Sequence, residues 1–95
     1  MAKKELGTVV VKIGSSSLTS PQGKLDLVNL KRIVSELSNL VEDQIKIILV
    51  TSGAVVTGAE RLKLGKPKTI PEKQAAAAVG QSILMRQYEK AFEEA

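Results

Sequence analysis

The sequence contains no cysteine and no histidine, and one tyrosine and one phenylalanine are its only aromatic residues. Without cysteine or histidine the chain can form no disulfide, no thiol nucleophile and no zinc site built on those ligands. No histidine can act as a general acid or base. With Tyr88 and Phe92 alone, nucleic-acid binding by stacking bases on aromatic platforms is excluded. No apolar run is long enough to cross a membrane, and a reducing cytoplasm is the expected location.

The composition is otherwise that of an ordinary globular protein, with 43% hydrophobic and 25% charged residues. Ninety-five residues allow one domain at most, with a small core. Fourteen lysines and arginines against ten acidic residues leave a net charge of +4. This mild excess suits an anionic ligand without requiring nucleic acid.

Strand and helix signals alternate along the chain. Residues 8–11 and 45–49 are mainly apolar and rich in β-branched side chains, and each range predicts a buried strand. Asp26 is the predicted N-cap of a helix that ends near Glu42. The apolar side chains of that helix recur every three or four residues, at Leu27, Leu30, Val34, Leu37 and Val41, with Ile33 and Leu40 beside them.

Two further helices are predicted in the second half of the chain. One covers residues 54–62, and a basic loop follows it at residues 63–68. Thr69 and Glu72 have the spacing of a capping box, with Pro71 in the first turn of a long helix. The alternation predicts an α/β fold with a doubly wound, mainly parallel sheet rather than a helical bundle.

Each predicted strand runs into a loop of small residues, at positions 12–16 and 50–54. If the strands are parallel neighbours, both loops emerge at the carboxyl edge of the sheet, where open α/β sheets bind ligands. Glycine and serine allow backbone N–H groups to approach an anion, and a helix amino end adds partial positive charge. Lys12 adds a full charge. The two loops therefore predict half of a phosphate-handling active site.

Each of these features also has a purely structural interpretation. Lys12 can be a solvent-facing lysine at a strand end, and residues 51–53 can be a strand-to-helix turn with Ser52 as N-cap. Gly80 can permit close helix packing or the approach of a ligand. The basic residues Arg61, Lys63, Lys66, Lys68 and Lys73 can form a solvated face. Ser52 is not a predicted nucleophile, because no histidine activates it. No carboxylate lies in either loop, so no metal site is predicted.

The chain has the pattern of the amino-terminal piece of a larger α/β domain. Two strands make a poor parallel sheet, and the last helix ends in acidic residues without a glycine stop. A designed or naturally minimal module is the alternative. The isolated chain is expected to leave hydrophobic surface uncovered and to self-associate or be marginally stable.

Three segments resemble the glutamate 5-kinase family of the amino-acid kinase superfamily, in the order and at about the spacing of that family. The resemblance extends from Thr8 to the end of the chain. The Lys-x-Gly loop is shared across the superfamily, whereas Val-Thr-Ser-Gly-Ala and Ala-Val-Gly-Gln-Ser are more specific. The segments are Val-Val-Val-Lys-Ile-Gly-Ser-Ser-Ser-Leu-Thr at 9–19, Leu-Val-Thr-Ser-Gly-Ala-Val at 49–55 and Lys-Gln-Ala-Ala-Ala-Ala-Val-Gly-Gln-Ser at 73–82.

This resemblance implies that residues 1–95 are the amino-terminal segment of a three-layer αβα sandwich with a mainly parallel sheet. It implies ATP-dependent phosphorylation of the side-chain carboxylate of L-glutamate, the first step toward proline. By this carry-over Lys12 is catalytic and contacts the transferring phosphate. Gly14 and Ser15 line the phosphate loop, and Ser52 with Gly53 holds the glutamate.

The resemblance also implies ATP and Mg²⁺ as cofactors, with metal ligands outside this chain, and a homo-oligomer. It implies no membrane partner, and no nucleic-acid partner for this segment. Two alternatives remain open. One is a related amino-acid kinase with another acceptor, and the other is a non-catalytic phosphate-binding or assembly fragment.

Overall fold

The computed structural model describes residues 7–95. Two strands and four helices follow one another in the order expected for an α/β fold. They are β1 (Gly7–Ile13), α1 (Ser15–Leu18), α2 (Leu27–Glu42), β2 (Ile45–Thr51), α3 (Ala54–Leu62) and α4 (Ile70–Glu94). The short helix α1 was not predicted, because its residues were interpreted as part of a loop. Within the described residues no helix has the length and apolarity needed to span a membrane.

The two strands pair in parallel, with Gly7 opposite Ile45 and Ile13 opposite Thr51. This confirms the prediction that they are neighbours with the same direction. Alternate side chains of a strand face opposite sides of the sheet. One side packs against the helical core through Val11, Ile13, Ile47 and Leu49.

The prediction that both strands are buried was wrong. The second side of the sheet is uncovered by any other part of residues 7–95, and Val10 is 60% exposed, with Ile48 and Val50 each 47% exposed. The strands have apolar residues on both sides, as in a sheet covered by helices on both faces. In residues 7–95 the helices cover only one face. The expectation of uncovered hydrophobic surface is thereby confirmed, and self-association stays a prediction.

Helix α2 has the bounds that the sequence predicts. The Asp26 carboxylate accepts a hydrogen bond from the Asn29 N–H at 3.0 Å, which confirms the N-cap. The middle of the apolar stripe is buried, whereas its ends, Leu27 and Val41, are 40% and 52% exposed. The buried residues of this helix join a core completed from α1 and α4. Its members are Leu18, Leu30, Ile33, Val34, Leu37, Leu84, Tyr88 and Ala91.

Helix α4 begins at the predicted capping box. The Thr69 hydroxyl accepts from the Glu72 N–H at 3.2 Å, and the Glu72 carboxylate accepts from the Thr69 N–H at 3.0 Å. The backbone N–H groups of Thr69 and Lys68 and the Thr69 hydroxyl together lower the pKa of Glu72. These bonds satisfy amide groups that would otherwise lack partners at the helix start.

Helices α3 and α4 cross with their backbones in contact. A Cβ atom on Gly80 would lie 1.7 Å from the Ala54 carbonyl oxygen, and one on Gly58 would lie 1.6 Å from the Ala76 carbonyl oxygen. The predicted packing role of Gly80 is therefore confirmed. Gly58 has the same role on the opposite helix, and nothing in the local sequence had distinguished it. This crossing holds α3, and with it the end of the loop after β2, against α4.

Replacing Gly80 with alanine should destabilise the chain, because the new methyl group cannot fit without separating the two helices. Overpacking of this kind costs about 1–3 kcal/mol or more, which should appear as a lower free energy of unfolding in urea. Ala78→Ser, which adds one atom at an exposed position of the same helix, is the control and should change little. Equal stabilities of the two variants would contradict the close crossing.

Candidate functional site

The two small-residue loops meet at one edge of the sheet. Beyond the last strand pair, Ile13 with Thr51, the Ser52 N–H donates to the Ile13 carbonyl oxygen at 2.9 Å. This bond extends the parallel pairing by one residue into the loops. The prediction that both loops emerge at the same carboxyl edge is confirmed.

Lys12 lies one residue before the end of β1 and is exposed. It is opposite Val50 in the register, and the alternation of the strand puts it on the uncovered side of the sheet with Val10. Within residues 7–95 the single ion pair joins Arg32 and Glu36. No described carboxylate therefore neutralises the Lys12 ammonium group.

Gly14 occupies a position for which the fold supplies no reason to choose glycine. Its backbone is in the ordinary extended region, with φ −75° and ψ 158°. A Cβ atom there would meet nothing within 4 Å. Its carbonyl oxygen accepts from the Ser17 N–H at 3.1 Å, which any residue would allow. Ser15, which follows and begins α1, is exposed. The space beside the backbone is open at this point.

Gly53 differs from Gly14, because its conformation requires glycine. Its φ is 109°, a value that side chains with a Cβ rarely adopt. It is the N-cap of α3 without any side-chain cap, so the interpretation of Ser52 as an N-cap was wrong. The Gly53 carbonyl oxygen instead accepts from the Thr57 N–H at 3.0 Å and the Thr57 hydroxyl at 2.8 Å. The next three amides open the helix and, as at any helix start, have no acceptor within it.

Ser52 is held by its backbone and leaves its side chain available. Its N–H bonds to Ile13, and its carbonyl oxygen accepts from the Thr51 hydroxyl at 3.0 Å. Ser52 is exposed, and its hydroxyl forms no hydrogen bond within residues 7–95. The Ser52 backbone is therefore held at both its N–H and its carbonyl oxygen, and its hydroxyl has no bond to another described residue.

A partly buried hydrogen bond connects this loop to helix α4. The Tyr88 hydroxyl lies 2.7 Å from the Thr51 hydroxyl, although the two residues are 37 positions apart. Burial raises the pKa of the Tyr88 hydroxyl. Sequence reasoning missed this contact. The only signal was that Tyr88 continues the buried face of α4, four residues after Leu84.

The lysines of the basic loop do not join the predicted site. Lys63 and Lys66, with Lys24 and Lys73, line a cavity of about 700 Å³ beside α3. None of the five predicted site residues lines that cavity. In the described part of the chain, the candidate site is therefore an open sheet edge rather than an enclosed pocket.

No metal centre is formed by residues 7–95. These residues contain no group of three or more acidic side chains that could hold a cation. The two loops contain no carboxylate. Their donors are an ammonium group, a hydroxyl and amide N–H groups, which suit an anion.

Comparisons with known proteins relate the whole described chain to one family. The family described as "Amino acid kinase family" matches residues 7–95. Glutamate 5-kinase from Clostridium acetobutylicum is 53% identical over 87 residues, which cover 90% of this chain and 33% of that protein. Glutamate 5-kinase from Carboxydothermus hydrogenoformans is 52% identical over 93 residues, covering 96% of this chain and 25% of that protein. The chain thus spans about a quarter to a third of the length of these relatives.

The two loop glycines should respond differently to alanine. Gly53→Ala forces a Cβ atom into a positive-φ conformation and should lower the free energy of unfolding by about 1–2 kcal/mol. Gly14→Ala, the matched control, should stay within about 0.5 kcal/mol of the wild type. Urea denaturation of both variants measures the difference. A large loss of stability in Gly14→Ala would show that the fold does depend on glycine there.

Proposed function

This chain belongs to the amino acid kinase family, and we propose that it is the amino-terminal segment of a glutamate 5-kinase. Such an enzyme transfers the terminal phosphate of ATP to the side-chain carboxylate of L-glutamate, the first step toward proline. Relatives named glutamate 5-kinase, about half identical over nearly the whole chain, support the proposal. We also propose that the full-length enzyme is a cytoplasmic homo-oligomer.

The observation that carries the proposal is the hydrogen bond between the Ser52 N–H and the Ile13 carbonyl oxygen. It joins the loop after Lys12 to the loop before α3, so residues suited to two different anions lie at one edge. Lys12 would contact the transferring phosphate, with Gly14 and Ser15 lining its path. Ser52 and Gly53 would hold the glutamate.

This division of roles follows the charges that the reaction brings together. A carboxylate and a phosphoryl group are both anionic, and their repulsion must be offset by fixed positive charge and oriented N–H donors. Lys12 supplies the charge, and the first amides of α3 supply donors aligned with the helix dipole. The attacking carboxylate is already ionised near neutral pH. No general base is needed, so the absence of histidine from these 95 residues does not argue against the proposal.

Gly14 adds a second line of support. Each of the six other glycines has a reason within the fold. Gly58 and Gly80 lie at the helix crossing, and the remaining four have a positive φ, namely Gly7, Gly23, Gly53 and Gly65. Gly14 has neither, and the space beside it is open. A phosphate that approaches the backbone closely would supply the missing reason, because a Cβ atom would obstruct it.

Mg²⁺, which accompanies ATP in such reactions, does not fit this segment. Magnesium prefers carboxylate and water oxygens, and neither loop contains a carboxylate. We assign no described residue to the metal and no step to it. The 95-residue chain alone is accordingly proposed to bind phosphate without phosphorylating glutamate.

Lys12→Ala in the full-length enzyme should lower kcat about 100-fold or more, since losing one charge contact to the transition state costs about 3 kcal/mol. Lys46→Ala is the matched control. Lys46 is exposed on the same side of the sheet and lies opposite Thr8, far along the strands from the loops. Steady-state kinetics should show normal turnover for the control. Unchanged kcat in Lys12→Ala would remove that residue from the mechanism.

Ser52→Ala should raise the KM for glutamate while leaving the KM for ATP nearly unchanged. A hydrogen bond to a charged ligand group contributes about 1.5–3 kcal/mol, so the rise should be at least about tenfold. Ser35→Ala, at an exposed position of α2, should alter neither constant. A weaker affinity for ATP with normal use of glutamate would mean that the two loops have the opposite roles.

A further inference from the structure

A relay of two hydrogen bonds connects the core of the protein to the Ser52 loop. The Tyr88 side chain is buried, with 4% of its surface exposed, and its hydroxyl lies 2.7 Å from the Thr51 hydroxyl. Thr51 donates its single proton to the Ser52 carbonyl oxygen at 3.0 Å. The Thr51 oxygen must then accept from Tyr88, since a threonine hydroxyl has one proton to give. The relay therefore runs from Tyr88 through Thr51 to Ser52.

The relay completes the fixation of the Ser52 backbone. The Ser52 N–H is held by Ile13 from the neighbouring strand, and its carbonyl oxygen is held by Thr51. Leu84, one turn before Tyr88 on α4, lies against the next residue: its Cδ2 atom is 3.8 Å from where a Cβ atom on Gly53 would stand. Two successive turns of α4 thus contact the residues on either side of Ser52.

A hydroxyl at position 88 is not required for packing alone. The ring of phenylalanine would fill the same apolar space, and a buried hydroxyl is unfavourable unless it forms a hydrogen bond. The bond that Tyr88 forms leads to the loop rather than to another part of the core. The ring of Tyr88 packs in the core, whereas its hydroxyl holds Thr51 at the edge of the sheet.

We propose that Tyr88 is a positioning residue, which acts through Thr51 to orient the Ser52–Gly53 loop toward the amino-acid substrate. Its hydroxyl is buried and bonds to Thr51. It therefore acts through Thr51 and not by contact with the reacting groups. This inference rests on the proposed function, because it takes that loop to be the glutamate-binding one. The inference assigns to Tyr88 an effect on substrate affinity in addition to its packing in the core.

The test is steady-state kinetics of the full-length enzyme with Tyr88→Phe and Thr51→Val. Each variant should raise the KM for glutamate about two- to tenfold, the range expected for one neutral hydrogen bond. The KM for ATP should stay unchanged. The double variant should show little further rise, because both substitutions break the same relay. Thr51→Ser retains the hydroxyl and should restore the wild-type KM.

Phe92→Leu, at a partly exposed position one turn further along α4, is the control for general disturbance of the helix and should leave both KM values unchanged. Two results would overturn the inference: an unchanged glutamate KM in Tyr88→Phe, or equal changes in kcat and in both KM values. Absence of glutamate phosphorylation by the wild-type enzyme would instead refute the proposed function. The two failures are therefore distinguishable.

Discussion

The parallel pairing of β1 and β2 is the constraint on which the candidate site depends. Its register ends at Ile13 and Thr51, and the Ser52 N–H continues it by one more bond to the Ile13 carbonyl oxygen. The two loops come together because parallel strands end at the same edge. A shift of one residue would turn Lys12 toward the core and remove Ser52 from its acceptor. The core residues on the covered side of the sheet resist such a shift.

Two kinds of constraint within the fold explain three of the glycines. At Gly58 and Gly80 two helix backbones touch, and at Gly53 the chain takes a positive φ. At Gly14 neither condition applies. Neither packing nor conformation therefore requires glycine at position 14, whereas the proposed phosphate contact would. This is why the proposed phosphate contact is assigned to the first loop.

The uneven covering of the sheet explains the main error of the sequence interpretation. Both strands have apolar residues on each side, as strands between two helical layers do. In the described residues one side packs on the core, while Val10, Ile48 and Val50 remain exposed. Lys12 shares that open side. A three-layer αβα sandwich has a helical layer on each side of its sheet. The described residues form the helical layer on one side only.

The sequence alone determined the elements with strong local signals. Asp26 and the Thr69–Glu72 pair begin their helices because the side chain and the amide it caps are three residues apart. The positions of the two loops were also local, because each loop begins where an apolar strand run ends. Only the tertiary structure decided that Gly53 rather than Ser52 caps α3, that Gly58 meets Ala76, and that Tyr88 reaches Thr51. The last two contacts join residues far apart in the chain, so no local pattern encodes them. The cap depends on the positive φ of Gly53, which the residue types around it do not reveal.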